Sequence, residues 1–186
     1  MSDGMLSDLG RSVKEAVQGV VEGTGDVISA SAGTVSQSVT AALKGGNEIV
    51  GKSIDVTTDI TKGAVQAVSE ASTDTFQGIQ GVVSGVLKGV ASAGGDAMSA
   101  TQEVVSTAVK SADEAGEDTA QAAASAVHGA LDATESIGGD TGSVLKHAVT
   151  GAINGAGEVS EDAVNAVKNV LITSVKGAKE VIDEMK

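Results

Sequence analysis

The stretch Ile79-Gln80-Gly81-Val82-Val83-Ser84-Gly85-Val86-Leu87-Lys88-Gly89-Val90 decides the fold. Its aliphatic residues Ile79, Val83, Val86 and Val90 follow steps of four, three and four residues. That spacing puts them on one face of an α-helix, where a strand would need strict alternation. Followed outward, the same steps continue in both directions without an insertion. Toward the N-terminus they pass through Val68, Val39, Val35, Ile28, Val20, Val17 and Val13, with small residues such as Thr24, Ser31 and Ala42 between. Toward the C-terminus they reach Val105, Val127, Leu145, Val149, Val167, Leu171 and Ile182. The three positions form the centre of a stripe that repeats every 11 residues. Two flanking positions carry bulkier side chains, among them Ile49, Ile54, Ile60, Val65 and Phe76.

Charge confirms the period. Of the 12 Lys and Arg and 25 Asp and Glu, only Lys186 falls within these five positions. Random placement would give that result less than about once in a million. An 11-residue repeat spans three helical turns, so the stripe runs nearly straight along a helix and covers roughly 130° of its circumference. The fold class is therefore all-α, built of long amphipathic helices in a single repeat region over residues 1–186.

The face opposite the stripe holds Gly and Ser as well as charge. Each Gly costs about 1 kcal/mol relative to Ala inside a helix, and there are 25 of them. Packing, self-association or an apolar surface must supply the missing stability. Three Gly-Gly pairs precede residues suited to capping a helix: Gly45-Gly46-Asn47, Gly94-Gly95-Asp96 and Gly138-Gly139-Asp140. Read as hinges, they divide the chain into four segments of about 40–45 residues, which could form a bundle. The unbroken register through all three hinges points instead to one extended helix, and the sequence leaves both arrangements open. Charge at the stripe centre, at Val83 and Val127, is expected to abolish binding, and charge at Ser84 on the opposite face to be tolerated.

Composition bounds the chemistry. Phe76 is the one aromatic residue, and proline, cysteine, tryptophan and tyrosine are absent. A net charge of −13 repels nucleic-acid phosphates, and without cysteine there is no disulfide framework or thiolate metal site. Neither His128 nor His147 has metal-ligand spacing. The cluster Asp113, Glu114, Glu117 and Asp118 lacks the alternating ligands and turn of a calcium loop. No nucleophile elbow, phosphate loop or dinucleotide fingerprint occurs. The expectation is a non-enzyme with no cofactor, metal, nucleic acid or small-molecule substrate. The first residues, Met1 to Arg11, lack a sustained apolar run, and a cytoplasmic location is expected. The segment from Phe76 to Gly95 is about long enough to cross a bilayer, and Gly81, Gly85 and Gly89 would suit membrane helix packing. Gln77, Gln80, Ser84 and Lys88 on one face favour an interfacial or bundled helix.

The phrases Lys62-Gly63-Ala64-Val65-Gln66-Ala67-Val68 and Gly81-Val82-Val83-Ser84-Gly85-Val86-Leu87-Lys88-Gly89-Val90 resemble the 11-residue repeats of synucleins and of perilipin-type lipid-droplet coat proteins. The resemblance implies a helix that folds on, and coats, a lipid surface. This chain is acidic where synucleins are Lys-rich, which directs the expectation to neutral droplets, granules or bilayers with packing defects. Asp118-Thr119-Ala120-Gln121-Ala122-Ala123-Ala124 is similar to repeats of late embryogenesis abundant proteins, which implies stress protection. Three readings stand at this level. The stripe coats a lipid or other apolar surface, peripherally on a membrane or inclusion; it packs against copies of itself in a structural assembly; or the chain protects against desiccation.

Overall fold

Asp74, Asp96, Asp118 and Asp140 recur at every twenty-second residue, and each begins a helix. Their carboxylates accept from the backbone N–H of Gln77, Ser99, Gln121 and Gly142 at 2.9–3.2 Å, satisfying donors that a helix start leaves unpaired. The ends are equally regular. Gly94, Gly116 and Gly138 take positive φ of 85°, 84° and 72°, a conformation glycine adopts without penalty. The residue after each donates back to the helix it leaves, Gly95 to Val90, Glu117 to Ala112 and Gly139 to Thr134, all at 2.9 Å. These are Schellman closures. A Gly-x-Asp turn thus closes one helix and opens the next.

The computed structural model describes residues 2–21, 26–45, 53–71 and 74–185. Among them are nine helices: α1 Ser2–Val21, α2 Val27–Gly45, α3 Ser53–Ala71, α4 Thr75–Ser92, α5 Ala97–Glu114, α6 Thr119–Ile137, α7 Thr141–Val159, α8 Glu161–Ser174 and α9 Ala178–Glu184. Each packs against its neighbours in sequence and against the helices two places before and after it. The odd-numbered helices form one row and the even-numbered helices a second. The stack grows in one direction, as in helical-repeat solenoids.

This arrangement differs from both expected architectures. The helices are 7 to 20 residues long, not four segments of about 40–45 residues, and no single helix runs through the chain. Gly94-Gly95 and Gly138-Gly139 do form turns, but so does Gly116-Glu117-Asp118, which has no Gly-Gly pair. Gly45 is the last residue of α2; its partner Gly46 and Asn47 lie outside the described residues. The unbroken register now has a simpler cause. A helix plus its turn occupies 22 residues through the middle of the chain. Two 11-residue units fit that length, so the stripe re-enters each new helix in phase.

Candidate functional site

The centre of the apolar stripe lies between the two rows. Val13, Val17, Val35, Val39, Val68, Ile79, Val83, Val86 and Val90 are buried, as are Val105, Val127, Val149, Val167, Leu171 and Ile182. Of the bulkier flanking residues, Ile60 and Val65 are buried. Ile28, Phe76 and Leu145 are half-buried, and Val20 and Ile54 are exposed, Ile54 at 59%. Ile49 lies outside the described residues.

Hydroxyls at the stripe centre are accommodated locally. Thr61, Thr101 and Thr134 donate to the carbonyls four residues back at 2.7–2.8 Å. Ser31 donates to Val27 at 2.5 Å and Thr57 to Ile54 at 2.9 Å. Such bonds let polar residues enter a core without an unsatisfied group. Small residues at these positions also keep the rows close.

A second buried face was not legible as one. The glycines on the supposedly polar side are where helices of the same row meet. A β-carbon on Gly85 of α4 would lie 2.5 Å from the Ala32 carbonyl of α2, and one on Gly89 would lie 2.6 Å from Val39. Gly63 of α3 is seated on Gly10 of α1, Gly129 of α6 on Gln80 of α4, and Gly151 of α7 on Gln102 of α5. Ser84 shares this environment and is only 2% exposed, so its reading as a tolerant polar position is corrected. The available signal was spacing: Gly63, Gly85, Gly129 and Gly151 are separated by multiples of 22 residues, with Thr107 at the missing step.

Charges run along the edge of the odd row. Lys14 pairs with Glu70 at 2.7 Å, Lys62 with Glu114 at 3.2 Å, Lys110 with Glu158 at 2.6 Å and Lys146 with Glu184 at 3.0 Å. Each pair joins one odd helix to the next, from α1 to α9. The Lys14 ammonium holds the Glu70 carboxyl below its ordinary value, and Glu158 raises that of Lys110. These pairs are solvent-exposed, and such pairs typically contribute under about 1 kcal/mol, so register is the larger consequence. In the even row, Gln80 donates to Asp132 at 2.6 Å and Thr40 to the Gly89 carbonyl at 3.3 Å.

The cluster at residues 113–118 is used structurally. Asp118 caps α6, Asp113 accepts from Thr119 at 3.0 Å, and Glu114 belongs to the ion-pair ladder. His128 and His147 are half-buried on α6 and α7. Among the described residues no group of three or more His, Cys, Asp or Glu could hold a metal. None of their helices is long and apolar enough to cross a membrane; α4, the segment of bilayer length, is largely buried within the stack. The Gly-Gly turns gather on one edge. There a cleft of about 220 Å³ is lined by Leu87, Met98, Ile137, Val144, Gly95 and Gly139. Another, of about 470 Å³, is lined by Leu43, Ile54, Val90, Gly94 and Gly95.

No family model matches the sequence, and no curated protein matches it. Among solved structures the chain is similar to the crystal structure of a de novo designed helical repeat protein, at 16% identity and a TM-score of 0.53 over 94% of both chains. That likeness concerns the fold alone, and it agrees with the row-by-row stacking. The chain has a helical-repeat fold.

Proposed function

We propose that this chain is a non-catalytic structural protein whose helical repeats build an assembly with further copies of itself. The observation that carries the reading is the fate of the stripe. Its small central residues are taken up in close helix-to-helix packing, with hydroxyls satisfied inside each helix. A repeat stack adds units by one recurring contact, and nothing in that contact limits the number of units. Sedimentation velocity with far-UV circular dichroism across a hundredfold dilution tests the reading. Helix that resists dilution, with mass that grows with concentration, supports it. A monomer at every concentration defeats it.

A second reading, an apolar-surface coat acting peripherally on a neutral droplet or inclusion, is favoured by the Gly-Gly edge. Ile54 and Ile137 are exposed there beside the two apolar clefts. Opening of the turns on a lipid surface would free a stripe already in phase from helix to helix, and many small apolar contributions of about 25 cal/mol per Å² would add along it. Flotation with a neutral lipid emulsion separates the readings. Coating requires the protein to float and its helix packing to loosen, whereas a scaffold stays with the aqueous fraction.

A further inference from the structure

We infer that the outer face of α2 is the seat for helix α8 of a second copy of this chain, so that copies stack head to tail into an open-ended filament. The inference rests on the self-associating reading and names its contact. It starts from the contact already made inside the chain by successive helices of one row. Asp26 caps α2 as Asp74 caps α4, each accepting from the N–H three residues on. Counted from these caps, Gly81, Gly85 and Gly89 of α4 correspond to Gly33, Gln37 and Ala41 of α2.

The two sets have opposite surroundings. Gly81, Gly85 and Gly89 are buried against the backbone of Ile28, Ala32 and Ser36. Gly33, Gln37 and Ala41 are exposed, and a β-carbon on Gly33 would meet nothing within 4 Å. The same backward-facing surface is thus filled on α4 and open on α2. From Val27 to Leu43 the helix carries no charged residue, although a terminal repeat that must stay soluble alone needs a polar cap.

Gln37 is larger than the glycine it replaces, and its place in the row has a precedent with a side chain. Thr107 of α5, eleven residues after the cap Asp96 as Gln37 is after Asp26, is 7% exposed where α5 meets α3. A side chain at this place therefore fits a row contact. The Gln37 amide is uncharged and its stem flexible, so it can swing aside with its end still in water. The seat on α2 is accordingly wider than the one between α2 and α4.

The other end supplies the matching surface. Within the chain the forward-facing residues are the sixth, tenth and thirteenth after the cap: Ala32, Ser36 and Val39 on α2, and Gln102, Ser106 and Val109 on α5. Counted from its cap Ser160, helix α8 carries Ala166, Val170 and Thr173 at those places. They are uncharged, close in size to the α2 set, and exposed or half-exposed. Beside them Ile172 is 40% exposed. Seating α8 on α2 of another copy would continue the row by the kind of contact α2 already makes with α4. Because the two faces differ, the contact is heterologous and does not close on itself.

The test uses the full chain and two variants on exposed positions, Gly33→Arg at the receiving face and Ala166→Arg at the inserting face. Wild type is expected to exceed dimer mass as concentration rises, and more so at about 150 mM salt than at about 10 mM, because screening weakens repulsion between acidic copies. Each variant alone should remain at the 18.1 kDa of one chain, with helix content by circular dichroism no lower than wild type. An equal mixture of the two keeps one functional contact and should stop at twice that mass. Asn154→Arg, exposed on α7, should assemble like wild type. Assemblies that persist in Gly33→Arg, or a mixture that yields no dimer, would overturn the head-to-tail contact and leave self-association standing. A monomeric wild type at all concentrations and salts would overturn both.

Discussion

Gly85 lies against the carbonyl of Ala32 so closely that a β-carbon would come within 2.5 Å of that oxygen. The backbone of α2 cannot retreat cheaply, since its other face is packed through Val35 and Val39. Gly85→Ala is therefore expected to destabilise by about 1–3 kcal/mol through overpacking, against a helix-propensity gain of about 1 kcal/mol. Gly19→Ala in α1, where a β-carbon meets nothing within 4 Å, should stabilise by up to about 1 kcal/mol. Urea unfolding of both variants measures the difference. Equal signs for the two would remove the close approach as the reason for Gly85.

The same pair shows how far the sequence could be read. The all-α class was legible because charge avoids five positions in eleven, and a pattern that uniform has one periodic cause. The burial of Val17, Val83 and Val127 followed from it. The faces met within a row were not legible, because Gly and Ser are as common on solvated surfaces as at close contacts; only the neighbouring backbone distinguishes Gly85 from Gly19. The turns were legible in part. Gly94-Gly95-Asp96 and Gly138-Gly139-Asp140 stand out as doublets, while Gly116-Glu117-Asp118 uses the same αL glycine and Asp cap behind a charged middle residue. The extended helix was inferred from continuous phase, which a 22-residue helix-plus-turn also preserves.

Charge in the core separates the two buried faces from the solvated one. Val83 is fully buried and Ser84 nearly so, so Val83→Asp should cost more than about 4 kcal/mol, and Ser84→Asp should also destabilise, by at least about 2 kcal/mol. Gln77→Asp is exposed in the first turn of α4, where negative charge faces the positive end of the helix dipole. It should stay within about 0.5 kcal/mol of wild type. Thermal unfolding of the three variants decides the matter. A neutral Ser84→Asp would mean that the face seated against α2 is open in solution.

Turn glycines give a prediction opposite in sign to the hinge reading. Gly94 and Gly138 have φ of 85° and 72°, where an L residue costs about 1–2 kcal/mol. Replacing both by Ala should lower the melting temperature and leave the hydrodynamic radius of the folded protein unchanged. If the radius grew toward that of a long rod, the turns would be optional joints in one helix and the stacked rows a minor arrangement.

Helix caps make stability fall in acid. The Ser99 hydroxyl and backbone N–H hold Asp96 below the ordinary carboxylate value, and Ser143 and the backbone N–H of Gly142 do the same for Asp140. The unfolded chain therefore binds protons more readily at these carboxyls than the folded one, and folding stability rises with pH through this range. The contribution is complete above the unfolded value near pH 4 and is lost as pH falls through the lower folded values. Asp96→Ala and Asp140→Ala should thus lower the melting temperature at pH 7, with the gap to wild type shrinking between about pH 4 and pH 2. The Glu70 carboxyl, depressed by Lys14, adds a loss in the same window that both cap variants retain. A gap that stayed constant down to pH 2 would show that these residues act through packing of their turns and not through the ionised carboxylate.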